Sequence, residues 1–244
     1  MFNHEHHQGI LGILNSLDPE IFYETGAFFG GGTLITLLHE EYRWSKDIDF
    51  ICPVGPGYRR LRQIVAENNF KPSALFANTG SLEFPRDLIA NQYGVRFAVI
   101  SDGTPIKFEI DAEARIDLEP PEKRDWLNVP CLSHVDRYAE KLLANADRWL
   151  DTSIQSRDLI DLAILRLHDE QSQQAIDKAE EAYPVLSPLE KSLQKFQGSK
   201  EYRHKCFSAL EITNRCVIMD GIDLLAADFG LEKTDRAYDE LSID

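Results

Sequence analysis

Residues 28–50 run Phe-Phe-Gly-Gly-Gly-Thr, then a short apolar stretch, then Trp44-Ser45-Lys46-Asp47-Ile48-Asp49-Phe50. Few folds accommodate that order. Consecutive glycines weaken a helix or strand interior, so Gly30-Gly31-Gly32 marks a turn. Leu34, Ile35, Leu37 and Leu38 follow at helical spacing and predict a helix over residues 33–41. Asp47-Ile48-Asp49-Phe50-Ile51 then alternates with the period of a strand, over residues 47–52, and Pro53 closes it. A strand points alternate residues to one face, so the two aspartates project together. Like charges that close repel, and burying them without a partner is costly. Either they face water at a strand end, or a divalent cation lies against them. Mg2+ takes hard oxygen ligands from one or two carboxylates and is completed by substrate phosphates.

Two further stretches bear on that choice. A glycine turn lets backbone N–H groups approach a phosphate, and the helix N-terminus behind it favours negative charge. Taken alone, the turn is only a turn, and it is not a P-loop, because no Lys-Ser or Lys-Thr follows at the required spacing. Lys107-Phe108-Glu109-Ile110-Asp111 has the same period as the first strand, with Lys107, Glu109 and Asp111 opposite Phe108 and Ile110. It offers a third acid, Glu109 or Asp111, or else the polar face of a half-exposed sheet. In sequence, glycine turn, paired aspartates and a later acid suit nucleotide chemistry, with phosphates on the helix N-terminus and metal ions between acids and triphosphate.

The remaining periodicity divides the chain. Helices are expected at residues 7–17 and 58–69, a short strand at 22–29, and a hairpin of strands 95–101 and 106–112 about Asp102-Gly103-Thr104-Pro105. After the proline-bearing stretch 118–130 the texture is helical, with helices expected at 133–150, 156–168, 171–182, 188–197, 201–219 and 221–228. The reading is α+β: residues 1–130 a mixed sheet flanked by helices, residues 131–244 a helical domain. A net charge of -15 argues against a broad nucleic-acid-binding surface, leaving only local clusters such as Arg59, Arg60 and Arg62. No apolar run is long enough to span a bilayer. Cys52, Cys131, Cys206 and Cys216 are scattered without a CxxC pair, so a reducing cytoplasmic compartment is expected and none is assigned as a nucleophile. His4, His6 and His7 read as a solvated terminus, and His39 as a helix C-terminal residue.

Gly31-Gly32-Thr33, His39 and Trp44-Ser45-Lys46-Asp47-Ile48-Asp49-Phe50, in that order, resemble the AbiEii/AbiGii toxin family of polymerase-beta-like nucleotidyltransferases. Ile106-Lys107-Phe108-Glu109-Ile110 is similar to its later strand. Residues 137–142 and 157–162 are similar to its lysine motif and its Arg-Asp-x-x-Asp motif. The resemblance covers roughly residues 26–165. It implies a nucleotidyltransferase fold followed by a helical domain. It also implies roles: Gly31, Gly32, Thr33, Ser45, Lys46 and Lys141 for nucleotide, Asp47, Asp49 and Glu109 for metal, with Asp111 a competitor for the third place. Asp158 would orient or activate. Trp44 stands where the family commonly has arginine, so the resemblance assigns Arg43 nothing. On spacing alone, Arg157 and Asp161 form an i,i+4 pair and Lys141 is a solvated cation.

The expected activity is Mg2+- or Mn2+-dependent transfer of a nucleotidyl group from an NTP. The resemblance points to an RNA acceptor such as tRNA and to a cognate antitoxin, in a toxin–antitoxin or phage-defence setting. The alternatives are a small-molecule or protein acceptor, or a regulatory module that binds nucleotide without turnover.

Overall fold

In the computed structural model, which describes residues 2–168 and 173–241, the alternating stretches pair into one five-stranded sheet. The strands are β1 (Phe28–Phe29), β2 (Ile48–Pro53), β3 (Ile89–Ala90), β4 (Gly94–Ser101) and β5 (Thr104–Glu113), in the order β1-β2-β5-β4-β3. β2 runs parallel to β5, and the other pairs are antiparallel. The β4–β5 hairpin turns on Asp102 and Gly103, at φ 48° and 76°. An Asp-Gly pair suits those left-handed angles. Ile48, Phe50, Ile106, Phe108 and Ile110 are buried on one face. Phe50 stacks on Phe108 at 5.4 Å, and Phe108 on Phe97 at 4.5 Å. Each such ring contributes about 1.5–3 kcal/mol of burial free energy. The opposite face carries the charge. Register places Arg96 of β4 beside Glu109 of β5, and Glu109 beside Asp49 of β2.

Contacts group the chain into two units, Met1–Leu37 with Ser45–Ser133, and Leu38–Trp44 with His134–Asp244. The first holds the sheet with α1 (Glu5–Ser16), α2 (Pro19–Thr25), most of α3 (Gly31–Leu38) and α4 (Pro56–Glu67). Two expectations are corrected here. Residues 22–29 are not a strand throughout: they hold the end of α2 and only the two residues of β1. The Asp18 side chain caps the Glu20 N–H at 3.0 Å, Pro19 opens the helix, and Gly26 closes it at φ 68°. Those start and stop signals override the apolar run of Ile21 and Phe22. The N-terminal histidines are not simply solvated either. His7 lies fully buried in α1 beside Ile10, Ile13 and Leu14.

The second unit contains α5 (His134–Arg148), α6 (Arg157–His168), α7 (Gln173–Ala182), α8 (Leu186–Gln197), α9 (Lys200–Ala209) and α10 (Arg215–Asp228). Gln171 and Ser172, expected to open α7, lie outside the described residues. Residues 201–219 are not one helix. The chain leaves α9 through Glu211 at φ 54°, with the Ile212 N–H closing on the Phe207 carbonyl at 2.9 Å, and restarts after Asn214. Ile212, Thr213 and Asn214 favour strand or cap over helix interior, which is why the break falls there. α10 packs tightly on α6. A Cβ at Gly221 would lie 2.2 Å from the Ala163 carbonyl oxygen. Among the described residues, no helix is long and apolar enough to cross a membrane.

Candidate functional site

The glycine turn and the first aspartate pair are joined through the backbone. The Gly30 N–H donates to the Asp49 carbonyl at 2.9 Å, and Gly31 opens α3 at φ 65°. A Cβ on Gly31 would stand 2.5 Å from Asp49 Oδ2. That cradle needs glycine twice over, for its backbone angle and for the carboxylate lying against it. Gly32 follows in the first turn of α3. Asp47 stands one residue before β2, and Asp49 lies within it, half-buried.

Across the ladder, Glu109 accepts from Arg96 Nε at 2.7 Å and pairs with the Lys107 ammonium. Asp111, opposite Ile51, accepts from Arg96 Nη2 at 3.1 Å. Register therefore sets Glu109 next to Asp49, with Asp111 two residues further along. Burial, and then the Glu109 charge, raise the Asp111 carboxyl above its ordinary value. Burial would lower Lys107, but Glu109, then Asp47 and Asp49, outweigh it and hold the ammonium firmly protonated.

The residues between glycines and aspartates interlock. Thr33 is buried, and its hydroxyl donates to the Asp47 carbonyl at 2.5 Å. That leaves its oxygen to accept from Ser45 Oγ at 2.7 Å. The Ser45 carbonyl accepts from His7 Nε2 at 2.9 Å, and the Lys46 carbonyl from His6 Nε2 at 3.2 Å. The Lys46 side chain is exposed.

Lys141 and Asp158 belong to the second unit, in a buried ionic group. Lys141 Nζ lies 3.0 Å from Asp158 Oδ1 and 2.7 Å from Asp161 Oδ2. Arg148 forks onto Asp158 at 2.7 and 2.9 Å. Arg43 forks onto Asp161 at 2.6 and 2.9 Å, and the Tyr42 hydroxyl also donates to Asp161. Two expectations fall. The partners of Asp161 are Arg43 and Lys141 rather than Arg157, and Lys141 is only 8% exposed. Burial would raise both aspartates, but the cations beside them win. Lys141 and Arg148 hold Asp158 far below the usual carboxylate range, and Arg43 and Lys141 hold Asp161 below it. Arg43 and Asp161 carry this group; Asp161 closes the Arg-Asp-x-x-Asp motif but was given no role of its own, and Arg43 was given none.

Among the described residues, no three His, Cys, Asp or Glu side chains form a metal cage by themselves. The donor set on the sheet nonetheless fits a hard divalent cation. Asp47 and Asp49 offer carboxylate oxygens beside a turn built of glycine, and Mg2+ asks for one or two carboxylates with phosphates supplying the rest.

Residues 13–198 match the family described as nucleotidyl transferase AbiEii toxin, type IV TA system. No curated protein matches the sequence at a significant level. A solved H. pylori structure, described as a candidate nucleotidyltransferase, aligns with a TM-score of 0.50 at 15% identity over 91% of this chain and 92% of its own. That likeness shows the fold. An antigenic nucleotidyltransferase-like protein from Paracoccidioides brasiliensis aligns with a TM-score of 0.46 at 11% identity, over 86% of this chain and 95% of its own. With the family match running from α1 through α8, the chain belongs to the AbiEii nucleotidyltransferase toxins of type IV toxin–antitoxin systems.

Proposed function

We propose that this nucleotidyltransferase moves a nucleotidyl group from an NTP to an RNA acceptor such as tRNA, with Mg2+, and that a cognate antitoxin restrains it. The observation that carries the reading is the meeting of the Gly30–Gly31 turn with Asp49 on the charged face of the sheet. Backbone N–H groups at the start of α3 receive phosphate oxygens, aided by the helix dipole. Asp47 and Asp49 hold the Mg2+, with Glu109 beside them. When bound, the ion supplies positive charge against the triphosphate and the departing pyrophosphate. Lys107 and Arg96 temper the repulsion among the acids while no metal is bound. The acceptor hydroxyl attacks the α-phosphorus, and pyrophosphate leaves. Asp158 and Asp161 hold the Lys141 Nζ in place, at 3.0 and 2.7 Å.

The chain's net charge of -15 favours a second reading, transfer to a small molecule or a protein, because RNA needs a basic track. One assay separates them. Purified protein is incubated with labelled NTPs, Mg2+ and total RNA, and the label is followed into RNA, protein and small-molecule fractions. Label in RNA is expected, with loss in Asp47→Ala plus Asp49→Ala. Undiminished labelling by that double variant would refute the mechanism.

A further inference from the structure

The family match starts at residue 13, yet part of what fixes the approach to β2 lies earlier, in the first turns of α1. A carbonyl only accepts, so His7 carries its proton on Nε2 and donates it to Ser45 at 2.9 Å. His6 does the same to Lys46 at 3.2 Å. From α3, Thr33 donates its single hydroxyl proton to the Asp47 carbonyl at 2.5 Å and is itself held by Ser45 Oγ at 2.7 Å. Three successive carbonyls, at residues 45, 46 and 47, are thus gripped by side chains just before the β2–β5 ladder begins at Ile48.

The grip has a firm base. Ile10, Ile13 and Leu14 of α1 are fully buried. Asn15, near the far end of α1, donates to the Trp126 carbonyl at 3.2 Å and accepts from the Asn128 N–H at 3.1 Å. Asp49 is placed by its strand, but Asp47 stands outside the ladder and takes its position from these bonds. A second carboxylate must be held within about half an ångström to share a ligand with the first.

We propose that His7 and Thr33 are positioning residues, a clamp from α1 and α3 that sets the Asp47 carboxylate beside Asp49 for a divalent cation. The role in cation binding rests on the reading above; the clamp itself does not. It also reassigns Thr33. Its hydroxyl proton is spent on Asp47, so phosphate at this turn is met by backbone N–H groups and not by the Thr33 side chain.

The test uses three variants of the full chain. His7→Phe fills the space without a donor, His7→Gln returns an amide N–H near the place of Nε2, and Thr33→Val keeps the shape without the hydroxyl. In the metal-free protein, carbonyl carbon shifts are read by triple-resonance NMR. The Ser45 carbonyl should move upfield in His7→Phe and return in His7→Gln, and the Asp47 carbonyl should move in Thr33→Val. Mn2+ binding is read separately from the free-ion electron paramagnetic resonance signal. His7→Phe and Thr33→Val should bind about tenfold more weakly, the usual loss for an outer-shell partner, with His7→Gln within about threefold of the parent.

Unchanged carbonyl shifts in His7→Phe and Thr33→Val would overturn the clamp, whatever the metal does. Shifted carbonyls with undiminished Mn2+ affinity would overturn the positioning role. A parent protein that binds no Mn2+ would refute the cation reading and the positioning role together, while the carbonyl shifts still decide the clamp. Should His7→Phe fail to fold, Thr33→Val and His7→Gln carry both measurements.

Discussion

On and just before the sheet, Asp47, Asp49, Glu109 and Asp111 stand with two cations, Lys107 and Arg96, and both cations reach water. Among the helices, Arg43, Lys141 and Arg148 meet two carboxylates, Asp158 and Asp161, and both carboxylates are buried. The first group has negative charge to spare and solvent to mask the excess, and it is the place where the proposed cation would bind. The second is closed: every carboxylate has two cationic partners, and removing Asp161 strands Arg43 in a poorly hydrated interior. Acid chemistry is thus kept where charge can be exchanged, and architecture where it cannot.

The largest expected effect tests that contrast directly. Asp161→Ala leaves Arg43 and Lys141 facing an empty place and should cost about 3–5 kcal/mol of stability by urea denaturation. Asp49→Asn keeps the side chain's shape at a half-buried position and should cost no more than about 1 kcal/mol while removing Mn2+ binding. Similar losses in the two variants would erase the distinction between the groups.

A smaller effect comes from one methyl group. Gly31→Ala forces a left-handed backbone on a residue with a side chain and drives Cβ toward Asp49 Oδ2, 2.5 Å away. About 1–3 kcal/mol of destabilisation is expected, with weakened Mn2+ binding, because the displaced carboxylate is a proposed ligand. A fully stable variant that binds Mn2+ normally would show that the turn is not shaped around Asp49.

Lys107→Met sharpens the comparison from the other side. The ammonium is 57% exposed, so its pairing with Glu109 adds little to stability, within about 0.5 kcal/mol. It is also a resident positive charge among the acids that a metal must face. Titration calorimetry should therefore show Mn2+ binding about threefold to tenfold tighter, the expected gain from removing one nearby like charge near a protein surface. Weaker binding would mean that Lys107 organises the acids rather than competing for them.

How much of this was legible in the sequence follows the range of the interactions. β2, β4 and β5 announced themselves through period two, and the hairpin through Asp102-Gly103, because those signals are local, whereas the two-residue strands β1 and β3 are too short to show a period. The spacing of Asp47 and Asp49 and the alternation around Glu109 named the sheet acids for the same reason. α2 was hidden because Ile21 and Phe22 read as strand unless Asp18-Pro19 and Gly26 are given their weight as cap and stop. The buried ionic group was not legible. Arg43 and Asp161 stand 118 residues apart, and the nearer i,i+4 arginine at 157 offered a plausible but wrong partner. His7 was illegible too, since nothing local tells a buried histidine donor from a solvated one.

The smallest expected effect is one of slope, and it runs in opposite directions in the two groups. Asp158 and Asp161 sit below the usual carboxylate value when folded. Their contribution to stability is therefore complete above an unfolded pKa of about 4 and is lost as pH falls through the lower folded values. Asp111 sits above its usual value, so its contribution is complete below about 4 and is lost as pH rises through the raised one. Urea midpoints measured from pH 6 downward should fall below about pH 4 in the parent. Asp161→Asn should flatten that fall by removing one depressed carboxylate. Asp111→Asn should steepen it slightly just above about pH 4, because a group that gains a proton on folding has been removed. Identical slopes in both variants would mean that the two groups titrate alike, and the contrast between an open acidic face and a closed ionic core would not hold.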